Sequence, residues 1–138
     1  MALAAVAMGL LVGAAPTCDL TIDIARLRSS KGMIRLCLTA APDNFPSCAD
    51  ESRAVSRSVP ANVHELHIAG LPHGDYAIAV IHDENGNKKL DTFMGIPREG
   101  FGFSRNPAIG FGAPRFAAAR FTLDGDAETQ QVLMHYLL

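Results

Sequence analysis

The chain has 138 residues, the length of one domain, with 49% hydrophobic residues and a formal net charge of −2. High hydrophobicity with so little net charge excludes a disordered chain. The near-neutral balance gives no basis for a nucleic-acid partner. The hydrophobic residues are unevenly spread: in residues 1–15 only Gly9 and Gly13 are not hydrophobic, and every charged residue comes later.

Residues 1–15 read as the apolar part of a secretory signal peptide, with small residues at its end that suit a signal peptidase. Pro16 follows directly, so cleavage is expected after Ala14, although no Lys or Arg precedes the apolar run. The alternative is a buried N-terminal helix. The run is too short to span a bilayer, which takes about 20 residues, and residues 15–17 do not form a lipoprotein box before Cys18. The expectation is a periplasmic or extracellular protein with no transmembrane span, whose single domain covers residues 16–138. Its ligand in the envelope or medium is not named by the sequence.

From residue 17 the hydrophobicity has a period of two, the mark of half-buried strands. Leu20, Ile22 and Ile24 alternate with Thr21, Asp23 and Ala25, and after a Ser-Ser-Lys-Gly turn Ile34, Leu36 and Leu38 alternate with Arg35, Cys37 and Thr39. These two strands read as a hairpin with an aliphatic inner face, and Cys37 faces outward. Residues 41–52 form a loop containing Cys48, which can return to Cys37. A Cys37–Cys48 disulfide is the expected pairing and would contribute roughly 3 kcal/mol in the chain-entropy model. Cys18–Cys48 and three free thiols are the alternatives. No pair has CxxC spacing, so no zinc or thioredoxin-type site is indicated.

Residues 54–59 read as a polar edge strand, and 63–68 as a short strand. Residues 76–81 are nearly all apolar, as a central strand buried on both faces would be. Residues 83–114 hold six glycines and three prolines and read as one long loop. Two last strands, near 120–123 and 129–137, read as a hairpin through Asp124-Gly125-Asp126, with Val132, Met134 and Tyr136 facing inward. Seven short strands without an amphipathic helix predict an antiparallel β-sandwich carrying one long Gly-rich loop, with a small barrel as the alternative.

The segment richest in chemistry is His82-Asp83-Glu84-Asn85-Gly86-Asn87-Lys88-Lys89-Leu90-Asp91. Asp83, Asn85, Asn87 and Asp91 fall at positions 1, 3, 5 and 9 of an EF-hand-type calcium loop, and the carbonyl of Lys89 at position 7 adds an oxygen. Hard Ca2+ takes six to eight such oxygens, and a tight coil turns alternate residues inward to supply them. Lys88 stands where a glycine usually makes the sharp turn. Met94 stands where a bidentate glutamate usually closes the shell, which leaves Glu99 or water to complete it. The other reading is a solvated turn, because Asn-Gly is a turn signal without any metal.

Beyond it, residues 95–106 alternate Gly with Phe. Phe101 and Phe103 can be platforms for a carbohydrate or lipid, with Arg98 and Arg105 as anion contacts. The alternative is that the phenylalanines pin the loop to the sandwich. The five histidines are scattered. His82 beside Asp83 is the one candidate general base, but no nucleophile sits in a GxSxG-type motif and no phosphate-binding fingerprint occurs. The expectation is therefore a protein that is not an enzyme.

The run LPHGDYAIAVIHDENGNKKLDTFMGIPREGFGFSRN, residues 71–106, resembles the signature of a bacterial family, domain of unknown function 2141. The opening LTIDIARLRSSKGMIRLCL and the later PRFAAARFTL are similar to it as well, so the resemblance covers roughly residues 18–137. It implies an exported β-sandwich like the transthyretin-like and carboxypeptidase-regulatory-like domains, of immunoglobulin-like build, and it supplies no activity. Where family members carry glycine in the NGNGKLD run, this chain has Lys88.

Overall fold

A computed structural model describes residues 15–88, 92–93, 96–110 and 112–138. The expected signal segment lies outside them apart from Ala15, as do Lys89 and Asp91 of the expected calcium loop. Half of the described residues are in strands. The one α-helix among them, α1 (Phe116–Ala119), is four residues long. The strands are β1 (Thr17–Ala25), β2 (Met33–Thr39), β3 (Ala54–Pro60), β4 (Glu65–Pro72), β5 (Gly74–Asp83), β6 (Thr92–Phe93), β7 (Ile96–Pro97), β8 (Gly100–Phe103), β9 (Phe121–Leu123) and β10 (Ala127–Leu133). No helix among the described residues is long and apolar enough to cross a membrane.

One sheet has the order β10-β1-β4. The other has the order β3-β2-β5-β8, with β9 also on β5, and β6 pairs with β7. Pairing is antiparallel except between β1 and β10, which run parallel from Asp19 opposite Ala127 to Ala25 opposite Leu133.

The alternation places the aliphatic faces correctly. Leu20, Ile22, Ile24, Leu66, Ile68 and Val132 of one sheet meet Ile34, Leu36, Leu38, Ile78 and Val80 of the other in one buried core. Each such side chain contributes on the order of 1.5–3 kcal/mol by leaving water. Val132 and Met134 are buried in it, and Tyr136 packs against it.

Strand partners differ from the expectation. The hairpin of the first two strands does not form: β1 and β2 lie in different sheets, with their apolar faces opposed across the core. Period-two patterning fixes the face a residue takes, not the neighbour its strand takes. The last two strands do not pair either. β9 joins β5 and β10 joins β1, so the turn near 124–126 passes the chain between sheets. Among the described residues ten strands stand in place of seven, three of them only two or three residues long.

The stretch expected as a loop, 83–114, includes β6, β7 and β8. Its glycines misled because at least one serves close approach and not chain reversal. A Cβ on Gly102 would lie 2.7 Å from Val132 Cγ1 and 2.9 Å from the Leu133 carbonyl oxygen.

β5 is buried on both faces, as its composition requires. On the side away from the core, Ala77 and Ala79 join Cys37, Cys48, Phe101, Phe103 and Ala119 in a second apolar cluster. Cys37 is bonded there to Cys48, with their Cα atoms 5.7 Å apart. Cys18 is buried in the main core and free. Asn44 organises the loop that carries Cys48: its Nδ2 donates to the Asp50 carbonyl at 2.9 Å and its Oδ1 accepts the Asp50 N–H at 2.9 Å.

Candidate functional site

β5 ends in a polar corner. Its last two residues, His82 and Asp83, are fully buried, and strand alternation sends them to opposite faces. His82 Nε2 is 2.7 Å from the Lys31 carbonyl oxygen, and Nδ1 is 2.7 Å from the Tyr136 hydroxyl. A carbonyl can only accept, so Nε2 carries the proton. The Tyr136 hydroxyl takes the Arg28 N–H at 3.2 Å and donates to Nδ1. Both ring nitrogens are thus occupied. Burial pushes the Tyr136 phenol up from its ordinary pKa.

On the other face the Asp83 carboxylate is used three times. Oδ2 accepts from Arg35 Nε at 2.8 Å and from the Lys88 N–H at 2.8 Å, and Oδ1 accepts the Asn87 N–H at 3.2 Å. Arg35 reaches it because Ile81, two residues before Asp83 on the same face, lies opposite Arg35 in the β2–β5 ladder. Asn85 Oδ1 also accepts the Asn87 N–H, at 3.2 Å. The turn after the strand is thereby coiled around its own acceptors. It requires left-handed backbone at Gly86 (φ 68°) and at Lys88 (φ 64°), and the second of these is the position where a calcium loop carries glycine.

The next carboxylate closes the corner. Arg28 Nε donates to Glu84 Oε1 at 2.9 Å, and Ser29 Oγ donates to Oε2 at 3.1 Å. The same guanidinium donates to the Leu138 carbonyl oxygen at 2.6 Å and the Arg98 carbonyl oxygen at 2.9 Å, and its Cζ lies 4.5 Å from the Tyr136 ring centre. One side chain therefore ties four separate segments together. Glu99, 5% exposed, accepts the Glu84 N–H on Oε2 at 2.6 Å. Gly32 (φ 71°) lies directly against the backbone of Asp83 and Glu84.

Burial raises the Glu84 pKa, but the hydrogen bonds of Arg28 and Ser29, with the charge of Arg28, outweigh it and hold the carboxyl below its ordinary value. Below about pH 4.3 the unfolded chain therefore binds more protons at this position than the native one. The stability that Glu84 contributes is present above that pH and is lost as pH falls through the lowered native value. Urea melts between pH 5 and pH 3 are expected to show a shallower loss of stability in Glu84→Gln than in the wild type. Identical slopes would remove Glu84 from the acid response.

Of the residues expected to bind a cation, Asp83 is buried in the corner and Asn85 and Asn87 lie in the exposed turn. Lys89 and Asp91 are outside the described residues. Of the expected ligand contacts, Phe101 and Phe103 are buried in the outer-face cluster, their rings 6.1 Å apart, while Arg98 and Arg105 are exposed. Sequence reasoning did not find Arg28 or Arg35, because neither stands near the corner along the chain. Glu99, expected with water as one of two ways to complete a calcium shell, accepts the Glu84 N–H.

Fold and site together define an all-β module with a buried, ion-paired corner where its central strand runs out. The chain belongs to the family of uncharacterised proteins conserved in bacteria, DUF2141, whose model matches residues 22–131. No curated protein and no solved structure matches it.

Proposed function

We propose that this chain is an exported, non-catalytic module of the transthyretin-like sandwich type whose 83–91 loop holds a calcium ion. Asp83, Asn85, Asn87 and Asp91 would give side-chain oxygens, and Lys89 its carbonyl. The observation that carries the reading is the coil of 83–88. Two N–H groups turn onto Asp83, and Lys88 holds a left-handed φ of 64° although it has a side chain. That conformation is unfavourable by about 1–2 kcal/mol for a residue with a Cβ, and the position-six turn of a calcium loop needs it. Glu99, just before β8, adds support by reaching the same loop at the Glu84 N–H. The apolar N-terminal run and the disulfide support export.

The missing position-12 glutamate sets the expected affinity in the range of extracellular modules, with Kd on the order of 10⁻⁴–10⁻³ M. Titration calorimetry should detect a single calcium site, and millimolar calcium should raise Tm. Lys88→Gly removes the strained side chain at position six, so it should stabilise the apo protein by about 1 kcal/mol and tighten calcium binding. No heat and no rise in Tm at millimolar calcium, in both the wild type and Lys88→Gly, would dismiss the reading.

A further inference from the structure

The outer face of the five-stranded sheet carries a cavity of about 400 Å³ that the calcium loop does not use. Its floor is Ala79 and Ile81 of β5 with Phe101 and Phe103 of β8, which stand opposite them in the ladder. One wall is Pro46 and Ser47, held by the adjacent disulfide at Cys48. Ile109, in the segment that follows Asn106, also lines it. That segment is fixed where Asn106 Nδ2 donates to the Gln131 carbonyl oxygen at 3.0 Å and Oδ1 accepts the Leu133 N–H at 2.8 Å. The cavity therefore has a strand floor and one wall tied by a disulfide, as preformed ligand sites do.

The lining decides what fits. Among the described residues that line it, the Ser47 hydroxyl is the only hydrogen-bonding side chain. A saccharide or nucleotide would leave its polar groups without partners, at a cost for each. The volume is between two and three times that of the roughly 150 Å³ cavity that takes up benzene, so there is room for a chain of carbons. The sequence beside the lining residues then adds a sign. Arg98, Arg105 and Arg115 are the exposed charged side chains within two positions of a lining residue. Among the described residues no guanidinium of the three has a partner. Asp83 and Glu99, the acids within that reach, are buried and already engaged.

We infer that the cavity binds a single-chain anionic amphiphile, a free alkyl carboxylate, with its tail against Ala79, Phe101 and Phe103 and its head among Arg98, Arg105 and Arg115. Decanoate and 1-decanol have the same tail and differ in charge, so they are the probes. Titration calorimetry at low salt should show decanoate binding the wild type one to one and at least tenfold more tightly than decanol, with the preference shrinking as salt screens the arginines. Ala113→Trp, at an exposed lining position, and Ile109→Asp should each weaken decanoate at least tenfold while circular dichroism and Tm show a folded protein. The triple change Arg98→Ala, Arg105→Ala, Arg115→Ala should bring the acid and the alcohol to equal affinity.

The inference is overturned by equal binding of acid and alcohol in the wild type, or by decanoate binding that survives both cavity variants. It is also overturned by binding of maltotriose in preference to decanoate, by capture only on phosphatidylglycerol vesicles, or by a concentration-dependent dimer that Ala113→Trp abolishes. No binding of decanoate at all has the same force. The probes contain no calcium, so the result stands apart from the outcome at the 83–91 loop.

Discussion

Replacing Asp83 with alanine is expected to destabilise the protein by about 3–5 kcal/mol, the range for removing one partner of a buried ion pair. The carboxylate is fully buried, and the Arg35 side chain that it meets is 23% exposed. The substitution strands that guanidinium and also removes the acceptor of the Asn87 and Lys88 N–H groups, so the coil after β5 loses its internal support. Urea unfolding should show a lower midpoint with an unchanged m-value. Replacing Arg35 with leucine in the same chain should recover part of the loss, because an uncompensated charge costs more than a missing pair. A strictly additive double variant, or a single variant within 1 kcal/mol of wild type, would mean that the pair is not carrying the corner. This also changes how the calcium reading is tested. Loss of calcium binding in Asp83→Ala would report the collapse of the turn as much as the loss of a ligand, so Lys88→Gly is the cleaner probe.

Gly32→Ala is expected to cost about 3 kcal/mol, from two additive causes. Its φ of 71° is unfavourable to any residue with a Cβ, by about 1–2 kcal/mol. The new Cβ would also be driven into the Asp83 carbonyl and would lie 2.6 Å from the Glu84 Cα. Backbone cannot turn aside as a side-chain tip can, and overpacking of this kind costs about 1–3 kcal/mol. Gly70→Ala separates the two causes. Gly70 has nearly the same φ, 69°, but nothing within 4 Å of an added Cβ, so it should lose only the conformational part. Thermal or urea melts of both variants give the difference directly. Equal losses would show that the contact between the 28–32 turn and the end of β5 yields easily.

What the sequence made legible was whatever depends on a residue and its near neighbours. The inward faces of β1, β2 and β10, the double burial of β5 and the reach of Cys37 to Cys48 all follow from alternation and composition. Strand partnership does not, since Leu20 and Leu36 are equally apolar whether their strands lie side by side or face each other. The glycines of 100–102 carried a second ambiguity. A glycine run reads as loop, yet Gly102 is a strand residue passing under Val132, and no local pattern tells close approach from chain reversal.

The corner divides in the same way. Asp83, Asn85 and Asn87 announce themselves by spacing. Arg28 and Arg35 are ordinary arginines on ordinary strand and turn positions until the fold brings them to Glu84 and Asp83. The left-handed backbone of Lys88 is the instructive exception. A lysine stands at a position whose backbone is left-handed, and the conflict becomes visible only when the backbone angle is known.

The parallel ladder of β1 with β10 has a consequence for the order in which the molecule is made. β2, β3 and β5 can find one another while the chain is still growing, because their partners lie within a few tens of residues. β1 enters first and is held on one side by β4, but its other edge stays open until residues 127–133 have arrived. Contacts between such distant segments form late, since the connecting chain must first be ordered. Until residues 127–133 are made, the edge of β1 that β10 will occupy therefore waits without its partner.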